Sequence, residues 1–209
     1  RIQLLANQGY AVLQMNFRGS SGYGYAFFKA GVQGWGLQMQ TDVEDGTRWA
    51  LAEGIADSGA VCIVGGSYGG YAALMEAARN SELYQCAASF AGVTDLRYLV
   101  GSHSRFQSYQ IVREQIGKNK KVLRENSPLH LAADIDLPVL LVHGSDDRVV
   151  RVEHSRRMNK ALNKYEKNVT YLEQEGGDHY LSNEEDRVEY FRTLRDFLRE
   201  HLSPDSGQT

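Results

Sequence analysis

Short apolar runs alternate with amphipathic or alanine-rich stretches along most of the chain. Five of the runs predict buried strands, at residues 10–17, 61–64, 86–91, 138–143 and 169–172. The stretches around them have the apolar spacing of helices, chiefly at residues 41–54, 68–80, 158–165 and 182–198. Because strands alternate with helices, we expect an α/β fold with a mainly parallel sheet covered by helices on both faces.

The two ends of the chain differ from its middle. Residues 1–7 predict the last turns of an amphipathic helix capped by Gly9, and a natural N-terminus seldom falls inside a helix. We therefore expect residues 1–202 to form one domain, the C-terminal part of a longer chain, with 203–209 as a disordered tail. With no initiator Met at Arg1, the lack of a signal-peptide pattern leaves the compartment open, the cytoplasm being favoured over the periplasm.

Charge and composition narrow the range of partners. The 23 basic and 26 acidic residues leave a net charge of −3, which argues against a nucleic acid or an anionic membrane as a partner. No apolar run approaches the roughly 18 residues of a membrane span. Cys62 and Cys86 both lie in apolar runs, so we expect two small buried side chains rather than a disulfide framework.

Ser67 lies directly between the run 61–64 and the helical stretch 68–80, in the sequence Gly-Gly-Ser-Tyr-Gly-Gly. Gly-x-Ser-x-Gly alone is a weak motif, but a strand-to-helix junction is where a nucleophile elbow occurs. The small residues Gly65 and Gly69 permit the sharp turn that lifts the serine hydroxyl above the sheet. The backbone N–H of Tyr68 would then act as an oxyanion donor at the positive end of a helix.

A serine hydroxyl needs a base to become a good nucleophile, and chain order indicates where the base lies. In hydrolases with this elbow, the acid follows a later strand and the histidine follows the last one. Asp147 follows the run 138–143, with Asp146 as the alternative acid, and His179 follows the run 169–172. We therefore predict the triad Ser67, Asp147 and His179. Asp178 is a weaker candidate because an immediate neighbour rarely reaches the imidazole in line.

The remaining histidines have no comparable place in the pattern. We expect His143, at the end of a core strand, to be a packing or hydrogen-bonded residue, and the others to lie at the surface or behind the site: His103, His130, His154 and His201. No His, Asp or Glu cluster has the spacing of metal ligands on a helix or turn. The sequence accordingly predicts neither a metal nor a cofactor.

The chain resembles the catalytic domain of the prolyl oligopeptidase family of serine peptidases, chiefly its acylaminoacyl-peptidase and dipeptidyl-peptidase-like members. The resemblance covers nearly all of the chain and rests on several segments, at residues 16–24, 35–43, 65–71, 91–96 and 143–147. It implies an α/β-hydrolase fold, cleavage of short peptides by acyl transfer to serine, and a triad at the same three residues. Thr41, where relatives often carry Asp, has no clear consequence for the chemistry.

The resemblance also implies an apolar pocket for the substrate residue that precedes the scissile bond. Its lining would include Tyr68 together with Tyr71, Val93, Leu96, Leu99 and Val150. For Val93, Leu96 and Leu99, plain core packing is an equally good interpretation. Tyr71 has the better claim to the pocket, because it follows the nucleophile by one helical turn.

Three parts of the family pattern do not occur in these 209 residues. They are a His-Gly-Gly-Pro-like loop that supplies a second oxyanion donor, the strand before it near the middle of the sheet, and an N-terminal β-propeller. Their absence supports the expectation of a C-terminal fragment, and loss of one oxyanion donor alone can reduce a rate by roughly 10²–10³. The family often forms homo-oligomers. An esterase of the same fold and a catalytically silent scaffold are the alternatives to a peptidase.

Overall fold

The computed structural model describes residues 2–102, 107 and 109–202. Its strands are β1 (Cys62–Gly66), β2 (Cys86–Phe90), β3 (Val139–Gly144) and β4 (Val169–Gln174). Its helices are α1 (Ile2–Asn7), α2 (Tyr25–Lys29), α3 (Gln38–Ala52), α4 (Tyr68–Arg79), α5 (Leu96–Ser102), α6 (Tyr109–Ile116), α7 (Lys120–Glu125), α8 (Glu153–Lys164) and α9 (Glu184–Leu202). Three short 3₁₀ turns lie at Ser81–Leu83, Pro128–His130 and Ala132–Asp134. The tail 203–209 falls outside the described residues.

The sheet is parallel in all of its described pairings and has the order β1-β2-β3-β4. Alternate residues of each strand face opposite sides of the sheet. Val139 and Leu141 pack with α4 and α8 on one side, while Leu140 and Val142 pack with α9 on the other. The predicted α/β architecture with helices on both faces is therefore present, and all carboxyl ends of the strands meet at one edge.

Residues 10–17, predicted as a strand, have no strand pairing in the structure. A sheet strand needs hydrogen bonds from its backbone to a neighbouring strand. A cavity of about 960 Å³ lies between this segment and β1. The cavity is lined by residues 9–15, by β1 and by apolar side chains of α9. Val12 and Leu13 are correspondingly exposed, at 37% and 47%. The prediction of a fifth strand is wrong for these residues.

Cys62 and Cys86 form a disulfide, which corrects the expectation of two independent buried thiols. The two residues are direct partners in the register between β1 and β2, with their Cα atoms 4.7 Å apart. That separation lies within the range a disulfide can bridge. The bond therefore closes the β1–α4–β2 unit, which carries Ser67.

Candidate active site

Ser67, Asp147 and His179 all follow carboxyl ends of strands in the parallel sheet. Ser67 comes directly after β1, Asp147 three residues after β3 and His179 five residues after β4. In open α/β sheets ligands bind outside this edge, because the loops that leave the strands converge there. The three residues named from the sequence thus share the edge at which a site is expected.

Ser67 forms a strained turn between β1 and α4. Its φ of 56° and ψ of −118° lie in a region that residues other than glycine rarely adopt, as expected of a nucleophile elbow. A Cβ atom at Gly65 would overlap the backbone of Gly69, so only glycine lets strand and helix come this close. The Ser67 N–H donates to the carbonyl of Phe90 at 2.8 Å, which ties the turn to β2.

Asp147 and His179 are joined by a hydrogen bond of 2.6 Å between His179 Nδ1 and Asp147 Oδ2. The other carboxylate oxygen, Oδ1, accepts the backbone N–H groups of Val149 and Val150, each at 2.8 Å. The loops that carry acid and base also touch, because a Cβ atom at Gly144 would overlap the backbone of Gly177. The acid is therefore fixed by its own loop and directed at the imidazole.

The surroundings of Asp147 favour its ionised form. Burial alone would raise the pKa of this carboxyl group, but the contacts from His143 and His179 and the two backbone N–H groups outweigh burial. Together they hold the pKa of Asp147 well below its usual range. A carboxylate that stays charged can keep the His179 proton on Nδ1 and leave Nε2 free to accept one.

The structure separates Asp147 from the two alternative acids. The Asp178 carboxylate accepts the Ser182 hydroxyl at 2.6 Å and the N–H of Tyr180, so it organises its own loop. The Asp146 side chain is exposed, and only its backbone N–H is engaged, by the carbonyl of Gly177. Asp147 alone among these carboxylates contacts the imidazole. Among the described residues, neither the Ser67 hydroxyl nor His179 Nε2 has a hydrogen-bond partner; in sites without substrate such contacts are commonly long.

Tyr68 begins α4, so its backbone N–H has no acceptor within the helix and lies beside Ser67. Its ring stacks against Phe17, Trp35 and Tyr71, with centroid distances of 4.9, 4.5 and 5.7 Å. Burial, with smaller effects of nearby Asp42 and Glu76, raises the pKa of the phenol well above its usual range. The phenol therefore stays neutral, and the residue's contribution to acyl chemistry would come from its main chain.

Five of the six residues predicted to line the pocket belong to one buried cluster, and the sixth, Tyr68, packs against it. Tyr71, Val93, Leu96, Leu99 and Val150 are each at most 7% exposed and pack together with Met75 and Leu123. The cavity beside β1 includes none of these five. Core packing, the interpretation that the sequence left equally open for Val93, Leu96 and Leu99, accounts for the burial of these three. Trp35 covers the cluster beside Tyr68 and Tyr71, and sequence reasoning had not assigned it to the pocket.

His143 and His154 are buried behind the site, at 0% and 1% exposure. His143 Nε2 lies 2.8 Å from the carbonyl of Val150 and 3.3 Å from Asp147 Oδ2. His154 Nδ1 accepts the N–H of Thr94 at 3.1 Å, which fastens the loop after β2 to α8. The sequence indicated a hydrogen-bonded role for His143 but not its contact with Asp147. The sequence signal that could have predicted this contact was the four-residue spacing between His143 and Asp147 at the end of β3. His103 lies outside the described residues.

Over the residues that the structure describes, no three His, Cys, Asp or Glu side chains are grouped closely enough to hold a metal ion. In the same part of the chain, no helix combines the length and apolar character needed to cross a bilayer.

The amino-acid sequence is similar to those of two curated peptidases. It is 35% identical over 177 residues to dipeptidyl aminopeptidase BIII of Pseudoxanthomonas mexicana, covering 81% of this chain and 26% of the relative. It is 26% identical over 208 residues to the human acylamino-acid-releasing enzyme, covering 95% of this chain and 28% of that enzyme. The chain therefore spans little more than a quarter of the length of these two relatives.

Solved structures agree with the sequence relatives. A puromycin-hydrolysing peptidase of Mycobacterium tuberculosis matches with a TM-score of 0.84 and 29% identity over 90% of this chain and 29% of that chain. The acylaminoacyl peptidase of Pyrococcus horikoshii matches with a TM-score of 0.83 and 25% identity over 93% of this chain and 32% of that chain. These matches confirm the α/β-hydrolase fold. The prolyl oligopeptidase family matches residues 1–205, nearly the whole chain, and the protein belongs to that family.

Proposed function

We propose that this chain is the catalytic part of a serine peptidase that hydrolyses short peptides through an acyl-enzyme on Ser67. The observation that carries the proposal is the hydrogen bond between His179 Nδ1 and Asp147 Oδ2 at the sheet edge where Ser67 occupies a strained elbow. Family membership supports the same chemistry, since dipeptidyl and acylaminoacyl peptidases are among the relatives. An acid–base pair at the sheet edge that also carries an elbow serine is the minimum that acyl transfer needs.

The reaction would proceed by two acyl transfers. The Ser67 Oγ attacks the carbonyl carbon of the scissile peptide bond, and its proton passes to His179 Nε2. Asp147 stabilises the resulting imidazolium, which then protonates the leaving amine as the C–N bond breaks. A water molecule next attacks the ester carbonyl and gives a proton to His179. That proton returns to Ser67 Oγ as the acid product leaves.

The Tyr68 N–H supplies one donor to the oxyanion in this proposal. The family pattern has a second donor on a His-Gly-Gly-Pro-like loop, and loss of one such donor reduces rates by roughly 10²–10³. In this proposal the chain is the C-terminal part of a longer protein, in which such a loop would provide the second donor and a β-propeller would filter substrates by size. A homo-oligomer of that longer protein fits the family pattern.

The apolar cluster below Tyr68 would form the floor of the substrate pocket. Tyr71, Val93, Leu96, Leu99 and Val150 are buried in it, so a substrate side chain would contact them only where Trp35 and Tyr68 leave room. In this proposal Trp35 is the residue that sets the size of the entrance. Such an arrangement favours an apolar substrate residue before the scissile bond, because the side chains that form the cluster are apolar or aromatic.

Active-site labelling tests the proposal directly. In the full native product that carries this sequence, a fluorophosphonate probe should label Ser67, and Ser67→Ala should abolish both labelling and cleavage of dipeptide and N-acyl-peptide substrates. Ser89→Ala, which alters a buried serine on β2, is the matched control and should retain labelling. Labelling that survives Ser67→Ala would overturn the assignment. Ester hydrolysis without any peptide cleavage would keep Ser67 as nucleophile but replace the peptidase by an esterase.

A further inference from the structure

Asp147 contacts two imidazoles through a single carboxylate oxygen. His179 Nδ1 lies 2.6 Å from Oδ2, and His143 Nε2 lies 3.3 Å from the same atom. His143 is fully buried on β3 and belongs to no step of the acyl-transfer scheme. Burying the polar imidazole costs free energy unless its nitrogens are hydrogen-bonded. The partners of the His143 nitrogens therefore indicate what the ring does.

The proton position on the His143 ring follows from its neighbours. Nε2 lies 2.8 Å from the carbonyl oxygen of Val150, which can only accept, so Nε2 carries a proton. Nδ1 lies 2.7 Å from the hydroxyl of Ser155 on α8, and in the neutral ring it accepts that O–H. Ser155 is itself only 1% exposed, so the ring is held in one orientation and one tautomer by α8.

The Nε2–H group then serves two acceptors on the acid loop. It donates to the Val150 carbonyl and lies beside Asp147 Oδ2, while the Val150 N–H donates to Asp147 Oδ1 at 2.8 Å. His143, Val150 and Asp147 thus form a closed set of contacts that fixes the carboxylate plane. The contact with His143 is also among the causes that keep the pKa of Asp147 low.

We propose that His143 is a positioning residue for catalysis, which orients Asp147 so that its Oδ2 receives the Nδ1–H of His179. The proposal rests on the function proposed above. Without the His143 imidazole, the Asp147 carboxylate would keep its two backbone donors on Oδ1. Its Oδ2 could then rotate away from His179. The wrong imidazole tautomer would then become populated, and proton transfer from Ser67 would slow.

Other ionisable groups near His143 do not offer an equivalent role. Glu173 is its register partner on β4 and is engaged by Arg156. His154, on α8, bonds to the Thr94 N–H, and burial lowers its pKa to about 3, so it stays neutral. Asp147 is thus the carboxylate that His143 Nε2 contacts directly.

A double-mutant cycle in the full native product tests the proposal. We expect His143→Leu to lower kcat by about 10- to 100-fold with KM little changed, the effect of losing one hydrogen bond to a charged group. In an Asp147→Asn background the same substitution should cost almost nothing further, because the group it positions has been removed. His143→Gln, whose amide nitrogen can reach the Nε2 position, should recover most of the activity.

The possible outcomes separate this inference from the proposed function. An equal loss from His143→Leu in both backgrounds, or unchanged kcat with a lower melting temperature, would mean that His143 only stabilises the loop. If Asp147→Asn itself leaves kcat unchanged, the triad assignment fails instead. Should His143→Leu not fold, Ser155→Ala carries the test: it removes the donor that sets the tautomer, so a fall in kcat is expected in the native background and none beyond Asp147→Asn.

Discussion

The Asp147 carboxylate is surrounded by nitrogen groups on both of its oxygens. Two backbone N–H groups bind Oδ1, and two imidazoles approach Oδ2. Neighbouring Asp146, by contrast, extends its carboxylate into solvent. Asp146 and Asp147 are thus adjacent residues of the same type, one exposed and one buried. Substitution of Asp146 is therefore a matched control for substitution of Asp147.

We expect Asp147→Asn to reduce kcat by roughly 10⁴-fold, and Asp146→Asn to leave it within a factor of about three. An amide at position 147 would present N–H₂ to His179 Nδ1, which favours the tautomer with its proton on Nε2 and leaves no acceptor for Ser67. Steady-state kinetics of both variants in the full native product, with melting temperatures as a folding check, would measure this. Similar losses for both aspartates would contradict the assignment of the acid.

The positions of Ser67, Asp147 and His179 at one sheet edge were predictable because each follows a strand with a strong local signal by no more than five residues. Ser67 lies in a glycine-rich junction, and the other two follow runs of apolar residues in the expected order. His143 was harder to interpret, since its role depends on Ser155, which only the packing of α8 brings to the ring. The pocket residues were predicted from resemblance alone, and sequence carries no measure of how deeply each side chain is buried.

Helices and strands were predictable where the local sequence pattern determines them. The prediction was wrong where pairing with another strand decides whether a strand forms. The runs that became β1 to β4 each have neighbours to bond with, whereas residues 10–17 have none. The helix start predicted at residue 41 was three residues late, since α3 begins at Gln38 and the Thr41 hydroxyl donates to the Gln38 carbonyl. The disulfide likewise depends on the register of β1 against β2, which two apolar runs do not reveal.

Arg18 fastens the loop before α2 to α3 by binding Asp42. Its Nε and Nη2 donate to the two carboxylate oxygens at 2.7 and 2.5 Å, and its backbone N–H donates at 2.9 Å. The side-chain hydrogen bonds of Arg18 lower the pKa of Asp42, with burial opposing them. A depressed folded-state pKa means that the pair stabilises the fold above the unfolded value of about 3.9, and that this stability is lost as pH falls further.

We therefore expect Asp42→Asn to lower the free energy of unfolding by about 1 kcal/mol at neutral pH, a partly exposed bidentate pair being worth little more. Near pH 3 the difference from the native protein should shrink, because Asp42 of the unfolded chain is protonated there, whereas the folded carboxylate takes up its proton only at lower pH. Urea unfolding at both pH values would measure it, with exposed Asp57→Asn as the control. A difference that does not change between the two pH values would argue against an ionic contribution.

β1 has an unusual place in the whole molecule, because it carries the nucleophile and yet lies at an edge of the described sheet. β2 and β3 are paired on both sides, whereas β1 is paired with β2 alone. Its other side faces the cavity of about 960 Å³ whose walls include residues 9–15 and α9. Edge strands leave alternate N–H groups without a ladder partner, and such strands open more easily than central ones.

We expect amide hydrogen exchange in the isolated 209-residue chain to be faster along β1 than along β3, and a hydrophobic dye to bind the apolar cavity beside it. If the native product is longer, as proposed, and a preceding segment fills the cavity and pairs with this edge, the β1 amides should exchange more slowly in it. Mass-spectrometric exchange of peptides covering Cys62–Gly66 and Val139–Gly144 would compare the two strands in both proteins. Equal protection of the β1 and β3 amides in the isolated chain would contradict an open edge at β1. The elbow at Ser67 would then be as rigid without the preceding segment as with it. Because Ser67 directly follows β1, slow exchange only in the longer protein would instead tie the geometry of the nucleophile to the segment that completes the sheet.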